Sequence, residues 1–329
     1  MTDANAIRFN IAFILWCALF LVLGGAGLTA LAAIGRLPPP PITATNCIDE
    51  KFRFLRETDI RDPGLLAVGS SVTWRNLNFS IFEDHHGDDV KPLNAAPCYL
   101  FANQTAYLTD FLLDNMPSVK SVMTVFSMRD FSSCSTSPTA FFKPEDARGY
   151  VFEGKPAWHL YLKNLRPVSF MRDVIKLPAM RSGGNNIAPL AMDEYGSGPL
   201  MLPEPEIRQN VQFDPTCLDH LSAMSESLAR RGVDFVVVLL PVMPAWRDAY
   251  DPGGVRDAEY RAAIASRLAS TPTVLIDAEQ GLHLRNEQFT DPAHLQWSSV
   301  PLLMDYLISR LDVTELSLAL TGKVPHHAL

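Results

Sequence analysis

Residues 233–240 read VDFVVVLL, a run of branched and long apolar side chains interrupted only by Asp234. A strand with one wet face alternates polar and apolar residues. A continuous β-branched run suits a strand covered on both faces, as in a parallel sheet. Working outward, 65–68 (LLAV), 119–126 (VKSVMTVF) and 273–277 (TVLID) have the same character, and 91–94 (KPLN) predicts a brief further strand. Helix-patterned stretches lie at 99–115, 217–231, 255–269 and 296–311. The alternation predicts an α/β fold: a doubly wound parallel sheet with helices on both faces, a three-layer sandwich.

The flanks of this core have other compositions. Residues 11–35 carry no charge, and at about 1.5 Å per residue they make a helix of about 37 Å, enough to span a hydrocarbon core of about 30 Å. A transmembrane anchor is expected, with a cleaved signal peptide ending near Ala30-Leu31-Ala32 as the alternative. Arg8 precedes the span and Arg36 follows it, which leaves its direction weakly signed. Four prolines at 38–41 predict a stiff polyproline spacer that lifts the domain off the bilayer. The resulting division is a stub and anchor at 1–36, a spacer and short helix at 37–59, a domain at 60–312 and a tail at 313–329. Residues 131–216, rich in Ser, Pro, Gly and Met (SSCSTSPT, RSGGNN), break the rhythm as a long insertion between the third and fourth strands, a lid or partner surface.

With 19% charged residues and a net charge of -8, the chain lacks the basic excess of a nucleic-acid binder. Of five cysteines, Cys17 lies in the apolar span. Cys47, Cys98, Cys134 and Cys217 allow three pairings or stay free, and none has a metal-binding spacing. Glu83-Asp84-His85-His86-Gly87-Asp88-Asp89 resembles a metal site in composition only, because adjacent loop residues rarely converge on one ion; a solvated polar loop is expected. No metal and no cofactor are implied.

Ligands of an open α/β sheet bind beyond the carboxyl ends of its strands, and polar groups fall at three such ends. Gly69-Ser70-Ser71 follows the first strand. A glycine there permits a tight turn, and a serine becomes nucleophilic when a base takes its proton; alternatively these serines only cap the next helix. Asp291-Pro292-Ala293-His294, in a loop before the last helix, sets a carboxylate within reach of an imidazole Nδ1–H. Pro241 to Arg247 follows the fourth strand, where Trp246 stacks on a sugar ring or belongs to the core or a lid.

A serine after the first strand combined with Asp-x-x-His before the last helix resembles the SGNH (GDSL-type) hydrolase superfamily, over about residues 60–312. The resemblance implies a flavodoxin-like sheet and a catalytic set of Ser71, His294 and Asp291, with Ser70 as the alternative nucleophile. Ser70 stands where Asp is usual. Ala95 and Ala96 stand near the usual oxyanion-hole glycine, and Arg129 stands near the usual asparagine. Ala95, Ala96, Arg129 and Trp246 are thus the candidate oxyanion and substrate-binding residues, with an Arg129–Asp130 ion pair as the alternative for Arg129.

The unusual neighbours turn the expectation from a general esterase toward branches similar to membrane-anchored D-alanyl transfer and alginate O-acetylation proteins. These imply a serine acyltransferase or esterase acting on O-acyl groups of an envelope polysaccharide. They also imply an acyl-carrying donor, an integral membrane acyltransferase partner and a periplasmic domain on a bacterial inner membrane. The competing expectation is a non-catalytic binding or assembly subunit of the same fold.

Overall fold

The computed structural model describes residues 3–43, 45–87, 90–164, 166–182, 189–207 and 211–311. The expected tail at 313–329, Asp88, Asp89 and most of RSGGNN lie outside these residues. Five strands form one parallel sheet: β1 (Leu65–Ala67), β2 (Pro92–Asn94), β3 (Ser121–Phe126), β4 (Asp234–Leu239) and β5 (Val274–Asp277), in the order β2-β1-β3-β4-β5. Every residue of β1, β2 and β3 is buried, the condition that their unbroken apolar runs satisfy.

The strand order reverses direction after β2, so right-handed crossovers put helices on both faces. Ala102–Leu113, Thr216–Arg230 and Val255–Leu268 pack together on one face; Phe79–His86 packs with β2 and with Val300–Leu311 on the other. The reversal also opens a crevice between the ends of β1 and β3, the general position for a ligand in such sheets.

Asp291 to His294 differs from the expected loop. Phe289–Asp291 (β6) and His294–Leu295 (β7) form a small antiparallel hairpin turned by Pro292 and Ala293, outside the main sheet. Asp291 Oδ1 accepts the Ala293 N–H at 2.9 Å, which closes the turn from the side chain.

The helix Asp3–Ala33 is exposed and its apolar stretch has a mean hydropathy of 2.4, long and apolar enough for a membrane span or a signal sequence. The prolines after it do not form a free spacer. Pro38, Pro39 and Pro40 are buried; Tyr161 donates its hydroxyl to Pro38 O at 2.6 Å and Asn164 its amide to Pro41 O at 2.7 Å. A polyproline strand has no internal hydrogen bonds, so its free carbonyls accept from these side chains and the domain packs down on the run instead of standing off it.

The insertion is partly helical, with Pro144–Val151, Trp158–Lys163 and Pro167–Ser182. Disulfides Cys47–Cys98 and Cys134–Cys217 resolve the cysteine pairing, and Cys17 is free. The first ties the helix Asn46–Glu57 to the segment after β2, and the second ties the start of the insertion to its end.

Candidate active site

Gly69, two residues past β1, has no room for a side chain: a Cβ there would lie 2.0 Å from Thr73 Oγ1. Thr73 Oγ1 in turn donates to Val125 O at 2.9 Å and accepts Val125 N–H at 3.0 Å, fixing the turn against β3. The short helix Ser71–Asn76 therefore starts directly at the sheet's carboxyl end. Ser70 is its cap, accepting Val72 N–H at 3.1 Å and donating its hydroxyl to Asp130. Asp130 also accepts Ser127 N–H at 2.8 Å. Burial raises the Asp130 carboxyl above its ordinary value, against the hydrogen bonds from Ser70 and Ser127 and the charge of Arg129. Ser70 is thus committed to structure.

Ser71 points the other way. Its Oγ lies 2.9 Å from His294 Nε2, and His294 Nδ1 lies 2.9 Å from both carboxylate oxygens of Asp291. A carboxylate only accepts, so Nδ1 carries a hydrogen, and in the neutral ring Nε2 then presents a lone pair to the serine O–H. All three residues are buried, at the wall of a cleft of about 980 Å³.

Asn76 joins the two halves of this arrangement. Its Nδ2 donates to Ala293 O at 3.0 Å and its Oδ1 accepts Leu295 N–H at 2.8 Å. The helix that bears Ser71 is thereby stapled to the hairpin that bears His294. No sequence pattern marks this residue.

The other candidates divide. Ala95 and Ala96 do not line the cleft. Ala95 N–H donates to Ala67 O at 2.9 Å, one step beyond the β1–β2 ladder, and Ala96 N–H donates to Asn94 Oδ1 at 3.2 Å; both oxyanion donors expected there are engaged elsewhere. Arg129 does line the cleft and makes no ion pair among the described residues, resting instead over the Tyr99 ring at 5.5 Å. Trp246 lines the cleft too but is only 4% exposed, which favours packing over stacking on a sugar. Arg247 pairs with Glu279 at 2.6 Å. Glu83, His85 and His86 belong to the helix Phe79–His86, with the His86 ring on Phe82, and among the described residues no cluster is arranged to hold a metal.

Two cleft residues escaped the sequence reading. Arg75, four residues after Ser71 and so on the same side of the helix, donates to Pro189 O at 2.5 Å and Gly198 O at 3.3 Å. Burial lowers its guanidinium to about 10, opposed by Asp291 and Tyr99, and it remains a cation at neutral pH. That spacing from Ser71 was the available signal. Tyr99 is 63% exposed and holds a left-handed backbone (φ 62°) directly after Cys98, an uncommon state for a bulky residue. The insertion supplies the remaining wall through Leu200, Leu202, Ile207 and Val211. It is sewn to the hairpin region by Glu206 N–H on Thr290 O, and by Leu202 and Gln296 bonding reciprocally.

No protein-family model matches the chain, and no curated protein matches it.

Proposed function

We propose that this protein is a membrane-anchored serine acyltransferase or esterase of the SGNH type, acting on O-acyl groups of an envelope or extracellular polysaccharide. The observation that carries the reading is the continuous chain Ser71–His294–Asp291 at the wall of a large cleft. The sheet order β2-β1-β3-β4-β5, with the nucleophile after β1, is consistent with that family's flavodoxin-like arrangement.

In the proposed reaction Ser71 Oγ attacks the acyl carbonyl carbon while its proton passes to His294 Nε2, and Asp291 stabilises the imidazolium. Collapse expels the donor alcohol, which takes that proton back, and leaves an acyl-serine. A sugar hydroxyl or water then gives its proton to Nε2 and attacks the ester, releasing product and restoring Ser71. Ser71 N–H has no acceptor among the described residues, and with Arg129 it would meet the negative charge of the tetrahedral intermediate. Two disulfides support an oxidising compartment for the domain. With the apolar helix, they favour a single-pass protein of the bacterial inner membrane facing the periplasm. An integral membrane acyltransferase would supply the acyl group.

The engagement of Ala95 and Ala96 N–H favours a second reading, a binding or assembly subunit with the fold but no turnover. A fluorophosphonate probe separates the two. Labelling of the detergent-solubilised full chain that Ser71→Ala abolishes and Ser70→Ala retains supports the enzyme. Absence of labelling on the folded chain favours the binding subunit.

A further inference from the structure

The helices Trp158–Lys163 and Pro167–Ser182 turn an apolar face outward. Trp158 is 61% exposed, Leu162 53%, Val168 85%, Met171 57% and Ile175 69%. Val168, Met171 and Ile175 follow one another at three and four residues and so share one side of their helix, while Asp173, Val174 and Leu177 face inward. Exposed Arg172 and Lys176 flank the outward stripe. The helix's one acidic residue, Asp173, is buried, accepts from Asn46 at 3.1 Å and pairs with Arg172 at 3.3 Å, while Lys176 and Arg181 add two further cations to the helix. In a chain of net charge -8, this stripe is locally cationic. Tyr161 against Phe170, ring centroids 6.1 Å apart, holds the two helices together.

The chain leaving the apolar helix fixes where this face lies. Tyr161 binds Pro38 O, Asn164 binds Pro41 O, and Arg181 reaches Gly35 O and Leu37 O, both at 3.4 Å. Arg181 is itself held by buried Glu50. Pro38 is five residues past Ala33, at most about 18 Å along an extended chain. If the apolar helix fills the hydrocarbon core, it ends at headgroup level, and the two helices sit beside that end.

We propose that the two helices form a second, interfacial membrane contact, lying in the headgroup layer of the leaflet where the anchor emerges and taking up anionic phospholipid. A polar-flanked apolar stripe with Lys and Arg at its edges is the composition of a helix that lies in the interface plane. The inference rests on reading Asp3–Ala33 as a retained span. Its consequence for the site is orientation: Arg172 and Met180, on the same helix, are among the residues that line the cleft, so the proposed contact brings that part of the cleft wall to the lipid surface.

The test uses the full chain with Cys17→Ser, reconstituted in vesicles of phosphatidylethanolamine and phosphatidylglycerol. Single nitroxide labels are placed at Ile175→Cys, at Val22→Cys in the span, and at exposed Glu226→Cys on Thr216–Arg230. The expected result is that the label at 175 collides several-fold more often with oxygen than with a water-soluble nickel chelate. The label at 22 should behave likewise and that at 226 the reverse. Replacing phosphatidylglycerol by phosphatidylcholine should draw 175 toward water; no change overturns the anionic-lipid assignment. A water-like 175 with a lipid-like 22 overturns the interfacial contact and leaves the anchor standing. A water-like 22 overturns the span and the proposal with it. A label at 175 shielded from both reagents means that protein covers the face, which overturns the lipid assignment.

Discussion

Asn76 gives its amide to Ala293 O and takes the Leu295 N–H at full burial. An alanine there leaves a buried donor and a buried acceptor unpaired, at about 1–3 kcal/mol for each, and frees the hairpin to drift from Ser71. Asn76→Ala is expected to lower the melting temperature and slow fluorophosphonate labelling at least tenfold at a temperature where the variant is still folded. A melting shift with an unchanged labelling rate would reduce Asn76 to a stability residue. Ser70→Ala should cost about 1 kcal/mol for the lost cap and about 1–3 kcal/mol more for the donor taken from buried Asp130, while labelling persists. Asp193 offers a pH test. Burial raises its carboxyl to about 6, against hydrogen bonds from Ser197 and Tyr195 N–H and the charge of Lys51. Because the folded value lies above the unfolded one of about 3.9, folding favours the neutral acid. That stability is complete below about pH 4 and is lost as the pH rises through about 6. Asp193→Asn keeps the acceptor and removes the charge, so its melting temperature relative to the parent should climb between those values and level off above. A constant difference across the range would refute the assignment.

Elements show which parts of the fold and site were legible in the sequence. The central strands β1, β3 and β4 were, because burial on both faces demands the continuous apolar runs from which they were read. The meeting of Ser71, Asp291 and His294 in the candidate site was, because each stands at the end of such a run or just before the last helix. The hairpin carrying Asp291 and His294 was not: two- and three-residue strands around a proline leave no periodicity to detect. Ala95 failed for a related reason, since the pairing of β2 continues one bond past its apolar run and uses the N–H assigned to the oxyanion. Gly69 gives a prediction at this scale. Gly69→Ala forces the new methyl onto Thr73 Oγ1 and so onto the contact that seats the Ser71 helix on β3. Its labelling should fall by a larger factor than that of Thr73→Ser, which keeps the hydroxyl.

Across the whole molecule, the two disulfides brace parts that the sheet does not. Cys47–Cys98 and Cys134–Cys217 span 51 and 83 residues of chain, and removing such a bridge costs about 2–5 kcal/mol. Treating the solubilised protein with dithiothreitol should lower its melting temperature and its labelling together, whereas Cys17→Ser alone should change neither. The proline run belongs to this scale as well. Four prolines in sequence predict a spacer, but the partners that bury them come from the insertion more than 100 residues away, beyond the reach of any local pattern.

The hairpin also orders events in time. His294 follows Ser71 by 223 residues, and chains are made at roughly 5–20 residues per second. For on the order of ten seconds or more, then, the growing polypeptide presents a serine with no base to activate it. β1, β2 and β3 can pair in that interval, but Ser71 meets His294 only when the hairpin docks on Asn76. If Ser71 is the proposed nucleophile, an unfinished or truncated product is therefore chemically silent, because the serine meets its base only in the closed cleft.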